Sequence, residues 1–164
     1  MCIIRDTART RFPKWPLAQP FRCSRITAEI NTVRGNRNWT VAREAELRAD
    51  FWGKDIDLLK PIIQPGGSDS ASLDNVLEVL TMSGRGILHA MSMLVPPAWR
   101  SDKKIPQPVA DFYEYHRCIC EPWDGPAALC FTDGITVGAC LDRNGLRPAR
   151  YMLSDEGIFA SARR

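Results

Sequence analysis

Two runs rich in strand-forming residues, Ala127-Ala128-Leu129-Cys130-Phe131-Thr132 and Ile135-Thr136-Val137-Gly138-Ala139-Cys140-Leu141, flank an Asp133-Gly134 turn. An Asp-Gly pair between such runs is among the strongest short-range signals for an antiparallel hairpin. The second half of the chain is therefore expected to build a sheet by local strand pairing. Further turns at Arg143-Asn144-Gly145 and Asp155-Glu156-Gly157 continue the meander through Arg150-Tyr151-Met152-Leu153 and Ile158-Phe159-Ala160.

Upstream the hydrophobic period is helical. Leu73, Val76, Leu77 and Leu80 repeat at three-four spacing, with Gly84 placed to stop the helix. A second helix is expected over Ile87–Leu94, ended by Pro96-Pro97. A third, from about Val109, presents Phe112, Tyr113 and His116 on one face. An earlier helix is expected from Asn38 to Gly53, with Trp39, Ala42, Ala45, Ala49 and Trp52 near one stripe. Before it, the proline-rich stretch Phe12–Pro20 predicts an extended loop packed through Phe12 and Trp15. Helices followed by meandering strands make an α+β chain.

The balance of the 164 residues narrows the function classes. Apolar residues make up 45% and charged residues 25%, as in globular proteins. No apolar run reaches the ~20 residues that span a bilayer, so no membrane role is expected, and a cytoplasmic location is the default. The net charge of +3 is spread along the chain, which gives no nucleic-acid footprint. The six cysteines, Cys2, Cys23, Cys118, Cys120, Cys130 and Cys140, form no C-x-x-C pair or Cys/His cluster, so no metal site is expected. With a two-residue turn at Asp133-Gly134, Cys130 faces Val137 and stands out of register with Cys140. Free thiols follow. His89 and His116 lie beside apolar helical residues and read as core or helix-surface groups.

Several segments together resemble one family, the large subunit of glutamate synthase, in its type-2 glutamine amidotransferase domain. They are Phe12-Pro13-Lys14-Trp15-Pro16-Leu17-Ala18-Gln19-Pro20-Phe21-Arg22, Glu29-Ile30-Asn31-Thr32-Val33-Arg34-Gly35-Asn36-Arg37-Asn38-Trp39 and Gly66-Gly67-Ser68-Asp69-Ser70. Further on come His89-Ala90-Met91, Phe112-Tyr113-Glu114-Tyr115-His116, Glu121-Pro122-Trp123-Asp124-Gly125-Pro126 and Leu141-Asp142-Arg143-Asn144-Gly145-Leu146-Arg147-Pro148-Ala149-Arg150-Tyr151. Residues 12–164 are covered, and residues 1–11 form an unmatched leader.

The resemblance implies a partial N-terminal-nucleophile hydrolase fold, antiparallel sheets sandwiched by helices. In it an N-terminal cysteine attacks the glutamine amide and releases ammonia for glutamate synthesis from 2-oxoglutarate. The resemblance also implies FMN and an iron–sulfur cluster for the full-length family protein, with none in this chain. The partners it implies are glutamine, if the site is completed, and the remaining synthase domains or a small reductase subunit.

Residue by residue, the implied site is incomplete. The oxyanion-hole Asn-Gly of the family falls on Thr27-Ala28, preceded by Ile26 where a His is usual. The Arg that clamps the substrate carboxylate falls on Asp6, with Arg9 or Arg11 as substitutes only after a shift of register. Asp69 matches the acid that holds the glutamine ammonium group, with a helix N-cap as its other reading. Cys2 follows Met1 as a nucleophile should, but the family's stretch between nucleophile and Phe-Pro segment has no counterpart here, so Cys2 is expected to be incidental. The chain is therefore expected to lack glutaminase activity by itself, and a non-catalytic pseudo-amidotransferase module is the alternative.

Overall fold

The structure, a computed structural model, describes residues 15–48, 50–101 and 104–163, the last without its side chain. Strand β1 (Ser24–Ala28) is followed by four helices, α1 (Val33–Glu44), α2 (Asp69–Met82), α3 (Ile87–Leu94) and α4 (Gln107–Arg117). The chain then runs through β2 (Ala127–Thr132), β3 (Val137–Leu141), β4 (Ala149–Leu153) and β5 (Phe159–Arg163). The α+β class is as expected.

Strands β1, β2 and β3 form one antiparallel sheet in that order, and β4 and β5 a separate two-stranded sheet. In the larger sheet Ile26 pairs with Leu129 and Ser24 with Phe131, which places their side chains on one face. On that face Ile26, Leu129 and Phe131 pack with Leu73 and Leu77 of α2 and with Ile87, Ala90, Met91 and Leu94 of α3. Gly138 lies opposite Phe131, and a Cβ there would come within 2.3 Å of the ring, so the glycine makes room for the aromatic group. By contrast β4 is exposed throughout, as are Ile158 and Phe159.

Helices α2, α3 and α4 lie where the spacing places them, and three expectations are corrected. The first helix begins at Val33 and ends at Glu44, so Trp52 is not part of it, and Ala49 falls outside the described residues. Its inward residue is Asn36, whose amide donates to the carbonyls of Glu121 and Pro122. Trp39 faces solvent beneath the Arg43 guanidinium. A polar residue reaching carbonyls thus sets the helix orientation, which an apolar stripe cannot reveal.

The hairpin turn has four residues, because Thr132 pairs with Val137 and Cys130 with Ala139. The Asp133 carboxylate accepts the amides of Ile135 and Thr136, replacing strand pairing at the tip. Cys23, Cys118, Cys120, Cys130 and Cys140 form no disulfide, as expected, but they are not fully buried: Cys118, near the end of α4, is exposed and the other four are half-buried.

The proline-rich segment contains a short 3-10 helix over Trp15–Leu17, closed by the Ala18 amide on the Trp15 carbonyl. Pro16 does not obstruct it, since its missing N–H is not the one used. Trp15 is 92% exposed, against the expected packing, and Phe12 lies outside the described residues.

Candidate active site

The sequence points to the end of β1, and several elements converge there. Thr27 and Ala28 are the last residues of β1, half-buried and paired with Ala128 and Ala127. The opposite edge of β1 is closed at Ile26 by the Gln19 side chain: its carbonyl accepts the Ile26 amide and its Nε2 donates to the Ile26 carbonyl, both at 2.7 Å. Gln19 therefore acts as a one-residue strand. Alternation along β1 turns the backbone of Ala28 toward the same edge as Ile26. The Ala28 N–H thus faces the edge away from β2.

Asp69 comes to this place from α2. Its Oδ2 accepts the Ile30 amide at 2.9 Å, two residues beyond Ala28, and its Oδ1 accepts the Ser70 amide at 2.7 Å. The N-cap of α2 is Ser68, whose Oγ accepts the Ala71 amide, so Asp69 is the first helical residue and not the cap. The carboxylate links the start of α2 to the segment after β1. Arg37 reinforces the junction by donating from Nε to the Ser72 hydroxyl and from a terminal nitrogen to the Gly67 carbonyl. Cys2, Asp6, Arg9 and Arg11 lie outside the described residues.

Two buried carboxylates that the sequence did not single out hold the site's frame. Asp74 of α2 accepts the amides of Arg22 and Cys23 and the Ser24 hydroxyl, fixing the entry to β1. Burial pushes its carboxyl above the usual range despite those three donors. Asp142, after β3, accepts the amides of Ala127, Asn144, Leu146 and Arg147. Burial alone would raise Asp142 as well, but four backbone donors together hold it below the usual range. An aspartate just before a turn is the signal that could have identified it.

The Arg143-Asn144-Gly145 segment is a turn with Gly145 at φ +62°. Asn144 Nδ2 donates to Asp124, and Arg147 donates to the Thr27 carbonyl. Gly125 brings the Trp123–Pro126 loop against the Glu29–Asn31 segment, where a Cβ would lie 2.1 Å from the Glu29 carbonyl oxygen. His89 and His116 meet through their Nε2 atoms at 2.8 Å, between α3 and α4, in a structural pair apart from the end of β1. Among the described residues no group of three or more His, Cys, Asp or Glu is arranged to hold a metal ion, so the donor set does not fit an iron–sulfur cluster. None of the described helices is long and apolar enough to cross a membrane.

Comparison with known proteins agrees with the motifs. The chain is 49% identical over 152 residues to the NADH glutamate synthase of Schizosaccharomyces pombe, covering 92% of this chain and 7% of that protein. It is 47% identical over 159 residues to the ferredoxin-dependent glutamate synthase of Antithamnion sp., covering 95% and 10%. With the large chain of the NADPH glutamate synthase of Bacillus subtilis it shares 46% over 152 residues, covering 92% and 10%. The chain thus spans a tenth or less of the length of these curated relatives. The described family of glutamine amidotransferases class-II matches residues 5–163, and with nearly the whole sequence inside that match, the chain belongs to the class-II glutamine amidotransferases.

Proposed function

We propose that this chain carries the glutamine-recognising part of the amidotransferase domain of a glutamate synthase and does not hydrolyse glutamine by itself. The observation that carries this reading is Asp69, which stands beside the end of β1, where an ammonium group and a polarised amide would be bound together. Around it the fold is read as part of an N-terminal-nucleophile hydrolase, with Ala28 N–H as the remaining oxyanion donor. Thr27 offers no amide donor, and loss of one such donor typically lowers the rate about 100- to 1,000-fold.

In the parent enzyme, the ammonia released would serve glutamate synthesis from 2-oxoglutarate. FMN and the iron–sulfur cluster would be held by parts of that enzyme beyond this chain, and no step of the chemistry here passes through them. Glutamine is the small-molecule partner, and the other synthase domains or a reductase subunit are the protein partners.

The test is glutamate release from glutamine by the purified chain, together with glutamine-dependent amide shifts in its NMR spectrum. Shifts clustered at Ile30, Asp69 and Ser70 without turnover are the expected result. Turnover that disappears in Cys2→Ser would overturn the inactivity, and shifts elsewhere would overturn the site. One observation favours a second reading, a non-catalytic interaction module: the β4–β5 hairpin exposes Tyr151, Met152, Leu153 and Phe159 together. Failure of glutamine to shift any resonance would favour that module.

A further inference from the structure

Away from the end of β1, a cavity of about 210 Å³ lies between α1, α2, α3 and the segment after α4. Val76, Val79 and Leu80 of α2, Met93 of α3 and Trp123 give it apolar walls. Its polar groups are mostly committed. The Asn36 amide is spent on the carbonyls of Glu121 and Pro122, and the Thr40 hydroxyl donates to the Asn36 carbonyl. Arg43 is held by both oxygens of Glu121. Burial would raise the Glu121 carboxyl, but the guanidinium outweighs it and keeps the group ionised. A cavity with so few free polar partners gives water little to bind.

Arg85 is the exception. It is half-buried, lines the cavity and forms no ion pair with any described residue. Its place is fixed by the end of α2, where Gly84 takes φ +96° and the Arg85 amide closes on the Leu80 carbonyl. Cys120, also in the wall, supplies no counter-charge, because burial pushes its thiol up to about 11. Arg85 therefore brings to the cavity's lining a positive charge that no described carboxylate pairs.

We propose that this cavity binds a small amphiphilic carboxylate, its carboxylate paired with Arg85 and its apolar body among Val76, Val79, Leu80, Met93 and Trp123. An apolar cavity of about 150 Å³ takes up benzene, so about 210 Å³ suits an unbranched body of about six carbons. A guanidinium can take both carboxylate oxygens, which fixes the ligand's direction. The site is separate from the glutamine reading, and its failure would leave that reading untouched.

The experiment titrates the full chain with hexanoate, hexanol and acetate, following amide and Trp123 indole shifts by NMR. Hexanoate is expected to bind at least tenfold more tightly than hexanol, and acetate is expected to give no saturable shift. Arg85→Gln should reduce hexanoate to the level of hexanol, and Val79→Trp, which fills the cavity, should remove both. Equal binding of hexanoate and hexanol, saturable acetate binding, or an Arg85→Gln protein that binds hexanoate normally would overturn the proposal. So would the absence of hexanoate binding. If a variant does not fold, as judged by circular dichroism, the ranking of the three probes on the unaltered chain decides the question.

Discussion

The Arg147 guanidinium donates to the Thr27 carbonyl at 2.5 Å across 120 residues of sequence, tying the turn after β3 to the last part of β1. A charged donor on a half-buried carbonyl is worth about 2 kcal/mol. Arg147→Ala should lower stability by about that amount. Urea denaturation measures the loss, and faster hydrogen exchange at Thr27 and Ala28 would show that it is local to the end of β1. Unchanged exchange there would deny the tie.

Asp74 and Asp142 predict opposite pH behaviour from similar burial. Asp142 titrates below its unfolded value, so its contribution is complete above about pH 4 and is lost as pH falls through the folded value. The penalty of Asp142→Asn should therefore be largest near neutrality and shrink in acid. Asp74 titrates above its unfolded value, so its contribution is complete below about pH 4 and declines as pH rises through the folded value. The penalty of Asp74→Asn should be largest in acid. Unfolding free energies at several pH values check both, and parallel penalties for the two variants would refute the contrast.

What the sequence made legible follows from the range of the forces involved. Helices α2 and α3 announce themselves because Leu73, Leu77, Ile87 and Leu94 face one core, and burial of that kind leaves a period in the sequence. The site was legible only in part. Asp69 stands in a motif, but its bond to the Ile30 amide joins segments 39 residues apart. Gln19 as a false strand, Asn36 as the inward face of α1 and Asp142 as a four-amide acceptor are likewise side chains serving distant backbone, and such pairings leave no periodic trace. The exposure of Trp15 shows the converse, that an aromatic residue in a proline-rich stretch does not by itself guarantee a surface to bury it.

The histidine pair fixes its own tautomers. His116 Nδ1 lies 2.7 Å from the Phe112 carbonyl, which can only accept, so that nitrogen carries the proton. In the neutral pair His116 Nε2 is then the acceptor and His89 Nε2 the donor. Burial first, then His116 and Arg85, keep His89 below the usual histidine range. A lowered value means its contribution is complete above about pH 6.5 and declines as pH falls toward the folded value. Long-range nitrogen–proton NMR near pH 7.5 should show Nδ1–H on His116 and Nε2–H on His89. The reverse assignment would break the hydrogen-bond pattern.

Gly125 offers the sharpest test of the frame around the end of β1. Its φ of +153° is open to glycine, and the space where a Cβ would stand is filled by backbone: the Glu29 carbonyl oxygen at 2.1 Å, the Asn31 amide nitrogen at 2.7 Å and the Ile30 Cα at 2.8 Å. Backbone cannot rotate aside as a flexible side chain would. The Glu29 amide also donates to the Pro126 carbonyl at 3.0 Å, so separating the segments to admit a methyl group would strain that bond as well. Gly125→Ala is therefore expected to destabilise by about 3 kcal/mol, the upper end for forced overpacking. Because the Ile30 amide is the partner of Asp69, the same change should disturb the Asp69 junction. Gly138→Ala is the useful comparison: its Cβ would also collide, at 2.3 Å, but with the ring of Phe131 and away from Asp69. Both variants should lose stability in urea, and only Gly125→Ala should shift the Ser70 amide resonance. A Gly125→Ala protein as stable as the parent would mean that the Trp123–Pro126 loop does not hold the segment after β1.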